Sequence, residues 1–546
     1  MLWIKGGQIY DPLNNTNGDV RDLFVKQGVI VEKDKISPQD ISNATVVDAH
    51  GLIIMPGGVD IHSHIAGPKV NAGRILRPED HRHDPVARTA DTRSGSGFTV
   101  PSTFVTGYRY AQLGYTTVVE AAVPPLEARH AHEELADIPI VDKASLILMG
   151  NNHFIMNMIR EGKKERLLDY VTWLLKSTGG YGIKVVNPGG VANWRKRGNV
   201  SHLDDEVWDY GVTPRQIIDA LLDLNLELGL PHSVHLHCTG LGQPGSDEMT
   251  LATMKLAAGR PLHITHLQFN SYKDAEGLPF SSGAEQLASY INNHPNLTVD
   301  VGQVVFGPAT TMTADGPLQY ELYRLSRDRW VNKDVEGETG SGVVPMVYNQ
   351  KSYVGALQWL IGMELFLLVK NPWQVFLTTD HPNAGPFTAY PWIIKLLMNK
   401  DYRNEIASGL NKQSRGACGL AGLEREYNLY EIAIITRAGT ARALGLTDKG
   451  HLGPGAQADI TIYHLQADHE AMFSTPAYVF KGGQLVVKDG KIVEAPVGKT
   501  YLAGLHRRSP VESWLAPEFA ALYSISMANY PVEEERYAPW EVVPCI

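Results

Sequence analysis

The segment Gly57–His64 reads GGVDIHSH and forms an apolar run that ends in two histidines one residue apart. Because side chains alternate along a strand, His62 and His64 would point to the same side. Two imidazoles on one side of a strand end can hold a divalent metal ion. Such pairs also occur by chance, so the pair indicates a metal site only if other strands supply further ligands.

Short apolar segments alternate with helical stretches through the middle of the chain, which is typical of parallel β/α units. Eight such segments predict an α/β fold, a (β/α)8 barrel of the TIM type, with its active site at the carboxyl ends of the strands. The segments are residues 57–64, 116–122, 145–150, 182–187, 233–238, 262–269, 297–306 and 375–380. The long connections 65–115 and 307–374 are expected to form lids or subdomains.

Both chain ends read as short strands separated by Gly, Asn and Asp. The motif KGGQ occurs at Lys5–Gln8 and again at Lys481–Gln484. We therefore expect one small β-sandwich domain built from residues 1–55 and 450–502, beside a barrel spanning 56–449. The alternative is two unrelated hairpin regions.

Residues 503–546 are rich in Trp, Tyr and Pro. This composition is too aromatic for a disordered tail. We expect this C-terminal extension to pack on the barrel or on a partner chain.

Composition narrows the class of protein. A net charge of −10 and a pI near 6.1 argue against nucleic-acid binding. The three cysteines are far apart, which argues against a disulfide framework or an iron–sulfur cluster and fits a reducing cytoplasm. Neither a signal peptide nor an apolar run of membrane-spanning length is predicted, so we expect a cytoplasmic protein.

Residues of metal-ligand type recur on five predicted strands. Taken singly, each has an ordinary structural explanation, such as a lysine that extends to solvent or an aspartate that caps a helix. Together they indicate a dinuclear metal centre. They are His62 and His64 on strand one, Lys184 on strand four, His235 and His237 on strand five, His263 and His266 on strand six, and Asp380 after strand eight.

Two adjacent metal ions share a water and lower its pKa from about 15.7 towards about 7. A neighbouring carboxylate then takes the proton as the water oxygen attacks a carbonyl, and Asp380 is placed for that role. An ammonium group would repel the metals. Lys184 therefore fits the site only if its charge is reversed, for example by carboxylation with CO2, which gives a carboxylate long enough to bridge both ions.

The order HxH, Lys, His, His, Asp resembles the amidohydrolase superfamily, as does the segment ARALGLTDKGHLGPGAQADITIY at residues 441–463. The resemblance implies metal ligation by His62, His64, Lys184, His237, His266 and Asp380. His235 and His263 remain second choices on their strands. Zinc is the expected metal, with iron, manganese and cobalt as alternatives.

Longer segments resemble a narrower family, the A subunits of formylmethanofuran dehydrogenases and of bacterial formyltransferase/hydrolase complexes. They are residues 57–82, 100–134, 148–154, 262–269, 302–317 and 375–387. This resemblance implies reversible hydrolysis of N-formylmethanofuran or formylmethylofuran to formate and the free amine, by one subunit of a larger complex. The alternatives are another amide or cyclic-amide hydrolase on the same fold, or a scaffold subunit without catalysis.

Further residues are candidates for substrate contacts. His153, in the sequence GNNHF, is expected to donate a hydrogen bond to the formyl oxygen or to the catalytic water; the alternative is a core histidine. Lys69, Arg74 and Arg77 are expected to bind carboxylates of a glutamate-rich cofactor tail, a feature that the resemblance implies. The basic residues Arg195, Lys196 and Arg197 form a second such group; the alternative for both groups is solvated surface charge.

Overall fold

The structure is a computed structural model, and it describes residues 1–333, 341–506, 511–533, 537 and 539–546. Within these ranges the strands form a parallel barrel, a sheet made from both chain ends, and two small sheets. In chain order the strands are β1 (Leu2–Asp11), β2 (Thr16–Lys26), β3 (Val29–Val31), β4 (Thr45–Asp48), β5 (Leu52–Pro56), β6 (Gly58–Ser63), β7 (Tyr115–Val123), β8 (Asp142–Leu148), β9 (Gly182–Val186), β10 (Val234–His237), β11 (Leu262–Ile264), β12 (Tyr272–Lys273), β13 (Ser281–Ser282), β14 (Leu297–Asp300), β15 (Gly307–Thr313), β16 (Val331–Lys333), β17 (Ser341–Tyr348), β18 (Val375–Phe376), β19 (Ile460–His464), β20 (Tyr478–Lys481), β21 (Gln484–Lys488), β22 (Lys491–Ile492), β23 (Thr500–Gly504) and β24 (Trp540–Pro544).

Helices connect the barrel strands, and several begin where the sequence supplies a cap. Thr213, for example, accepts a hydrogen bond from the backbone of Gln216 and precedes a proline at the first helical position. The helices are α1 (Pro38–Ser42), α2 (Pro68–Leu76), α3 (Thr103–Gln112), α4 (Ala128–Asp137), α5 (His153–Arg160), α6 (Lys164–Ser177), α7 (Gly190–Arg197), α8 (Pro214–Glu227), α9 (Ser246–Leu256), α10 (Ala284–Asn292), α11 (Gly316–Ser326), α12 (Tyr353–Leu368), α13 (Tyr390–Met398), α14 (Lys400–Ser408), α15 (Lys412–Arg415), α16 (Leu429–Ala433), α17 (Gly439–Ala443), α18 (His469–Ser474) and α19 (Glu512–Leu522).

The barrel contains a strand at each of the eight predicted positions. Parallel pairing runs through β6, β7, β8, β9, β10, β11, β14 and β18. A parallel bridge between Ser63 and His381 joins the last strand region to the first. The predicted (β/α)8 fold is therefore confirmed, and the carboxyl ends of all eight strands meet at one mouth.

The sheet domain built from both chain ends is also confirmed. In the described part of the chain its nine strands form one hydrogen-bonded sheet, because β5 pairs with β1 on one side and with β19 on the other. Ile4, Ile54 and Ile460 are fully buried in its core. The strands from the two chain ends therefore share one core.

The C-terminal strands β23 and β24 belong to the barrel sheet. β23 pairs in parallel with β8 at Lys143 and Ala144, and β24 pairs with β23. The predicted domain boundary at residue 502 therefore falls inside a barrel-associated strand. Further along the extension, Phe519 of α19 stacks on Phe154 of α5 at a centroid distance of 4.8 Å. Residues 507–510, 534–536 and 538 of the extension lie outside the described residues.

The two long connections pack on each other above the barrel mouth. The second connection forms an antiparallel sheet of β15, β17 and β16, followed by α12. Val70 of α2 and Met312 and Val343 of this sheet share a buried apolar cluster. No helix in the described ranges is both long enough and apolar enough to cross a membrane.

A buried charge cluster joins the terminal sheet to the base of the barrel. Lys449 Nζ lies 2.5 Å from both Asp142 Oδ2 and Asp459 Oδ2. Lys481 Nζ lies 2.6 Å from Asp142 and 3.0 Å from Asp459. Although burial raises the pKa of the Asp142 carboxyl, the two lysines hold that pKa well below its usual range. Each charge has two partners of opposite sign, which offsets the cost of burying it.

We predict that Asp142→Ala destabilises the protein by about 3–5 kcal/mol, because it leaves two buried ammonium groups with one carboxylate. Chemical denaturation followed by circular dichroism measures the change. Asp204→Ala is the matched control, since Asp204 pairs with Arg215 on an exposed surface and should change stability little. Equal effects of the two substitutions would contradict the role of the cluster.

Candidate metal centre

The predicted ligands gather beneath a cavity of about 690 Å³ at the barrel mouth. His237, His266 and Asp380 line the cavity. All three side chains are almost fully buried in the protein. The cavity therefore connects these buried polar groups to the outside.

The HxH pair faces Asp380, as the strand alternation predicts. His62 Nε2 lies 3.0 Å from Asp380 Oδ1, and His64 Nε2 lies 3.3 Å from the same oxygen. Asp380 follows β18 with a left-handed backbone conformation (φ 46°). The structure thus brings together side chains from strands one and eight.

The other ring nitrogen of His64 shows where its proton lies. His64 Nδ1 donates to Glu120 Oε1 at 3.1 Å. Burial raises the pKa of Glu120, but Lys69 and His64 lower it to about 2, so the carboxylate can only accept. His64 Nε2 is therefore the nitrogen that faces Asp380.

A chain of imidazoles places the proton of His62 in the same way. His232 Nδ1 donates to the carbonyl of Ala443 at 2.7 Å, so its Nε2 accepts from His235 Nδ1 at 2.9 Å. His235 Nε2 in turn accepts from His62 Nδ1 at 3.0 Å. Asp300 Oδ2 lies 3.2 Å from the same His62 nitrogen. His62 Nδ1 is therefore a donor, and Nε2 is the nitrogen that faces Asp380.

Two ring nitrogens and one carboxylate oxygen thus converge between His62, His64 and Asp380. Protons on the rings or a cation between the three atoms stabilise this arrangement. Although burial lowers the pKa of His62, Asp300 and Asp380 raise it overall, so the two carboxylates favour positive charge at this ring. A divalent metal ion satisfies all three atoms with the ligand types that zinc accepts.

His237 and His266 each donate from one ring nitrogen and present a lone pair on the other nitrogen to the cavity. His237 Nε2 donates to Asp315 Oδ2 at 3.2 Å, which leaves Nδ1 unprotonated. The Thr265 hydroxyl donates to the carbonyl of Leu236 at 3.3 Å, so its oxygen accepts from His266 Nε2 at 2.8 Å. The buried Nδ1 of His266 has no hydrogen-bond partner among the described residues. Burial lowers the pKa of both rings, so both are neutral. Their ring centroids are 4.8 Å apart.

His235 and His263 lie deeper in the barrel and use all their ring nitrogens. His235 bonds to His232 and His62, while His263 contacts Thr298 at 2.9 Å and Asp300 at 3.1 Å. Neither ring lines the cavity. This placement favours His237 over His235 and His266 over His263 as metal ligands.

Lys184 lies beside His235 in the strand register and is buried among these groups. Its Nζ has no hydrogen-bond partner within the described ranges. Burial lowers the pKa of Lys184 to about 7. The unpartnered amine of Lys184, the unpartnered Nδ1 of His266 and the grouping of His62, His64 and Asp380 together fit a metal centre built from the predicted residues.

Three buried carboxylates that orient these groups were not identified from the sequence. Glu120 holds His64, Asp300 holds His62, and Asp315 holds His237. Ligand histidines commonly donate their second N–H to a carboxylate in this way. A signal was present for Glu120 and Asp300, since each is an acidic residue in an otherwise apolar strand.

His153 does not reach this site, and the predicted contact with a formyl oxygen is corrected here. Asn152 caps α5, so His153 begins the helix. Its Nδ1 contacts Tyr210 Oη at 3.0 Å and its Nε2 contacts Asn157 at 2.8 Å. The ring lines a separate groove beside Trp514 of the C-terminal extension.

The predicted carboxylate-binding residues have different surroundings. Lys69 Nζ donates to the carbonyl of Ala122 and lies 3.6 Å from Glu120, and Arg74 pairs with Glu134 at 2.7 Å. Arg77 alone of the three lines the cavity. The side chain of Arg195 lies outside the described residues, and Lys196 pairs with Asp209 on the surface.

Comparison with known proteins places this geometry among the amidohydrolases. A family model described as the amidohydrolase family matches residues 45–493. Protein FwdA of Methanocaldococcus jannaschii is 46% identical over 563 residues, covering 99% of this chain and 98% of that protein. The A subunit of the formyltransferase/hydrolase complex Fhc from Methylorubrum extorquens is 39% identical over 560 residues, covering 99% of both chains.

A solved structure matches over the full length. It is the crystal structure of the formyltransferase/hydrolase complex (FhcABCD) from Methylorubrum extorquens in complex with methylofuran. The matching chain is 37% identical, with a TM-score of 0.93 and 100% coverage of both chains.

We predict that His266→Ala binds about one divalent ion fewer than the wild type at saturation, because it removes a ligand lone pair. His263→Gln should keep the wild-type metal content, since an amide can still donate to Asp300. Elemental analysis after dialysis against zinc measures both. The reverse order of effects would assign the ligand on strand six to His263.

Proposed function

Because this chain belongs to the amidohydrolase family, we propose that it hydrolyses N-formylmethanofuran, or the bacterial counterpart formylmethylofuran, reversibly to formate and the free amine. The observation that carries the proposal is the full-length similarity to a chain of a complex that was crystallised with methylofuran. The bond broken is the C–N bond of a formamide. As in that complex, we infer that the chain works as one subunit of a larger assembly, together with partner subunits.

The proposed centre holds two divalent ions, most simply zinc. The residues that would hold them are His62, His64, His237, His266, Asp380 and a carboxylated Lys184. Such ions would supply an acidified water and a Lewis acid for the formyl oxygen. The support is the close grouping of His62, His64 and Asp380, together with His266 Nδ1 and Lys184 Nζ, which have no hydrogen-bond partner in the described part of the chain.

The environment of Lys184 supports its carboxylation. A pKa of about 7 leaves a substantial fraction of the amine neutral near neutral pH. The neutral amine can add to CO2, which forms an N–C bond and releases one proton. The product carries a negative charge where an ammonium would repel the metals.

Asp380 is the proposed general base. Although burial raises its pKa, the charge of His62 and the hydrogen bonds from His62 and His64 hold the pKa well below the usual range, so the carboxylate is ionised. It takes the proton that water loses as the water oxygen bonds to the formyl carbon. It then gives that proton to the amine nitrogen as the C–N bond breaks.

The walls of the cavity suit a substrate with an aromatic ring. Phe269, Tyr272, Phe280 and Tyr348 line it between the polar floor and the opening. Tyr272 and Phe280 stack at a centroid distance of 4.1 Å. These rings exclude water from the formamide and present apolar faces to a furan-type ligand.

Arg77 is the proposed contact for a carboxylate on the substrate. Its side chain is 7% exposed, and its Nη1 donates to the carbonyl of Ala309 at 2.9 Å. Its Nε has no hydrogen-bond partner among the described residues. The nearest acid, Glu79, is 3.9 Å away and is paired with Arg329 at 2.6 Å. An anionic group in the cavity would therefore find an available guanidinium.

We predict that Asp380→Asn lowers formate release from the N-formyl substrate by at least about 100-fold, because the amide cannot accept the proton. Formate is measured with the full chain, alone and within its native complex. The exposed Asp204→Asn is the control and should release formate at the wild-type rate. Wild-type protein that is loaded with metal but releases no formate would contradict the proposed substrate.

We predict that Arg77→Gln raises KM for a carboxylate-bearing substrate about 10-fold, because it removes a charge-assisted hydrogen bond. The value of kcat should change little, since Arg77 does not contact the reacting atoms. Arg74→Gln is the matched control, because Arg74 is already paired with Glu134. Steady-state kinetics would contradict the assignment if both variants gave the wild-type KM.

A further inference from the structure

One side chain from the second long connection reaches the metal centre. We call residues 307–326, which contain β15 and α11, the mouth segment. Asp315 caps α11 and is 2% exposed. Its Oδ2 accepts from His237 Nε2 at 3.2 Å. Its Oδ1 accepts from the backbone of Leu318 at 3.2 Å and from Asn187 Nδ2 at 3.1 Å.

This single carboxylate therefore joins three elements. Leu318 belongs to the mouth segment, Asn187 follows β9, and His237 ends β10. Its two oxygens face different partners, one towards the helix N-terminus and one towards the candidate ligand. A shift of the mouth segment would move the group that holds the His237 proton.

A second contact links the mouth segment to the centre. The backbone N–H of Met312 donates to Asn383 Oδ1 at 2.5 Å. Asn383 Nδ2 donates to Asp380 Oδ1 at 2.9 Å. Met312 and Asp315 lie three residues apart, so one short stretch of chain supports candidate ligands on both β10 and the segment after β18.

The same segment forms part of the cavity wall. Thr311, Thr313, Leu318 and Gln319 all line the cavity above the centre. A substrate in the cavity thus contacts the chain that orients His237. Binding at the wall and ligand geometry at the floor share one structural element.

We propose that Asp315 is a positioning residue that holds His237 with its Nδ1 lone pair towards the metal, and so couples the mouth segment to metal affinity. This inference rests on the proposed metal centre. Without the carboxylate, the buried N–H of His237 would lose its acceptor, and the ring could turn its N–H towards the metal position. Coupling of this kind is reciprocal, so metal binding should also order the mouth segment.

Capping and positioning by Asp315 can be separated by substitution. Serine is a good helix cap, so Asp315→Ser keeps an acceptor for the start of α11. The serine side chain is shorter, so its single hydroxyl group cannot cap the helix and also reach His237. Asp315→Ala removes both functions. Thr213→Ala removes the cap of α8, which does not contact the centre, and is the matched control for loss of a cap.

The experiment measures zinc affinity of the full-length variants by competition with a chelator, with circular dichroism as the test of folding. We expect Asp315→Ser to fold and to melt below the wild type, because the buried N–H of His237 loses its acceptor. It should bind zinc about 10- to 100-fold more weakly, a typical loss for a partner of a ligand histidine. Thr213→Ala should keep wild-type zinc affinity. A folded Asp315→Ser with wild-type affinity would overturn the inference.

Hydrogen exchange supplies a readout that a purely structural role would not change. Zinc should slow exchange of backbone amides in residues 307–326 of the wild type, and should slow it much less in Asp315→Ser. Equal protection in both proteins would contradict the coupling. A wild-type protein that binds no zinc would overturn it as well. Normal zinc binding without formate release would refute the proposed substrate and leave this inference intact.

Discussion

The candidate metal centre depends on which nitrogen of each of four buried imidazoles donates a hydrogen bond. In His62, His64, His237 and His266, one ring nitrogen donates to an acceptor behind it, so the other nitrogen is the one that faces the candidate metal centre. Asp380 adds a carboxylate oxygen to the same region. These ring nitrogens and this carboxylate oxygen are ligand types that bind divalent cations such as zinc. The proposed chemistry rests on this arrangement.

The acceptors behind the histidines explain why a barrel interior that is usually apolar carries so many polar groups here. Asp300 receives hydrogen bonds or close contacts from His62, His263, the backbone of His266 and Thr378. A buried carboxylate with this many donors is stable as an anion, even though burial alone raises its pKa. The histidine chain from His62 to His232 ends at a backbone carbonyl, so no donor in it is left unpaired.

The sequence predicted the barrel and the set of candidate ligands because both depend on local patterns. It could not choose between His235 and His237, since residues two apart on a strand share a face, and only depth along the barrel separates them. It could not choose between His263 and His266, because β11 ends at Ile264 and His266 then adopts a left-handed conformation (φ 35°). It misplaced His153 because the cap at Asn152 turns the chain into a helix before the side chain reaches the mouth.

Long-range contacts account for what the sequence could not show. Asp315 lies in a connection whose path across the mouth has no local signature, and its contact with His237 spans 78 residues. Arg77 differs from Lys69 and Arg74 only in its partners, which come from distant segments. The sequence therefore shows that these side chains are positively charged. Only the fold shows which of them is already paired with an acidic residue or a carbonyl oxygen.

The most direct test of the proposed dinuclear centre is anomalous diffraction at the zinc edge from crystals of the metal-loaded protein. We predict two anomalous peaks, one beside His62, His64 and Asp380 and one beside His237 and His266. We also predict extra density that extends from Lys184 Nζ towards both peaks. Zinc-loaded crystals with no anomalous peak at these residues, and with an unmodified Lys184, would contradict the proposed centre.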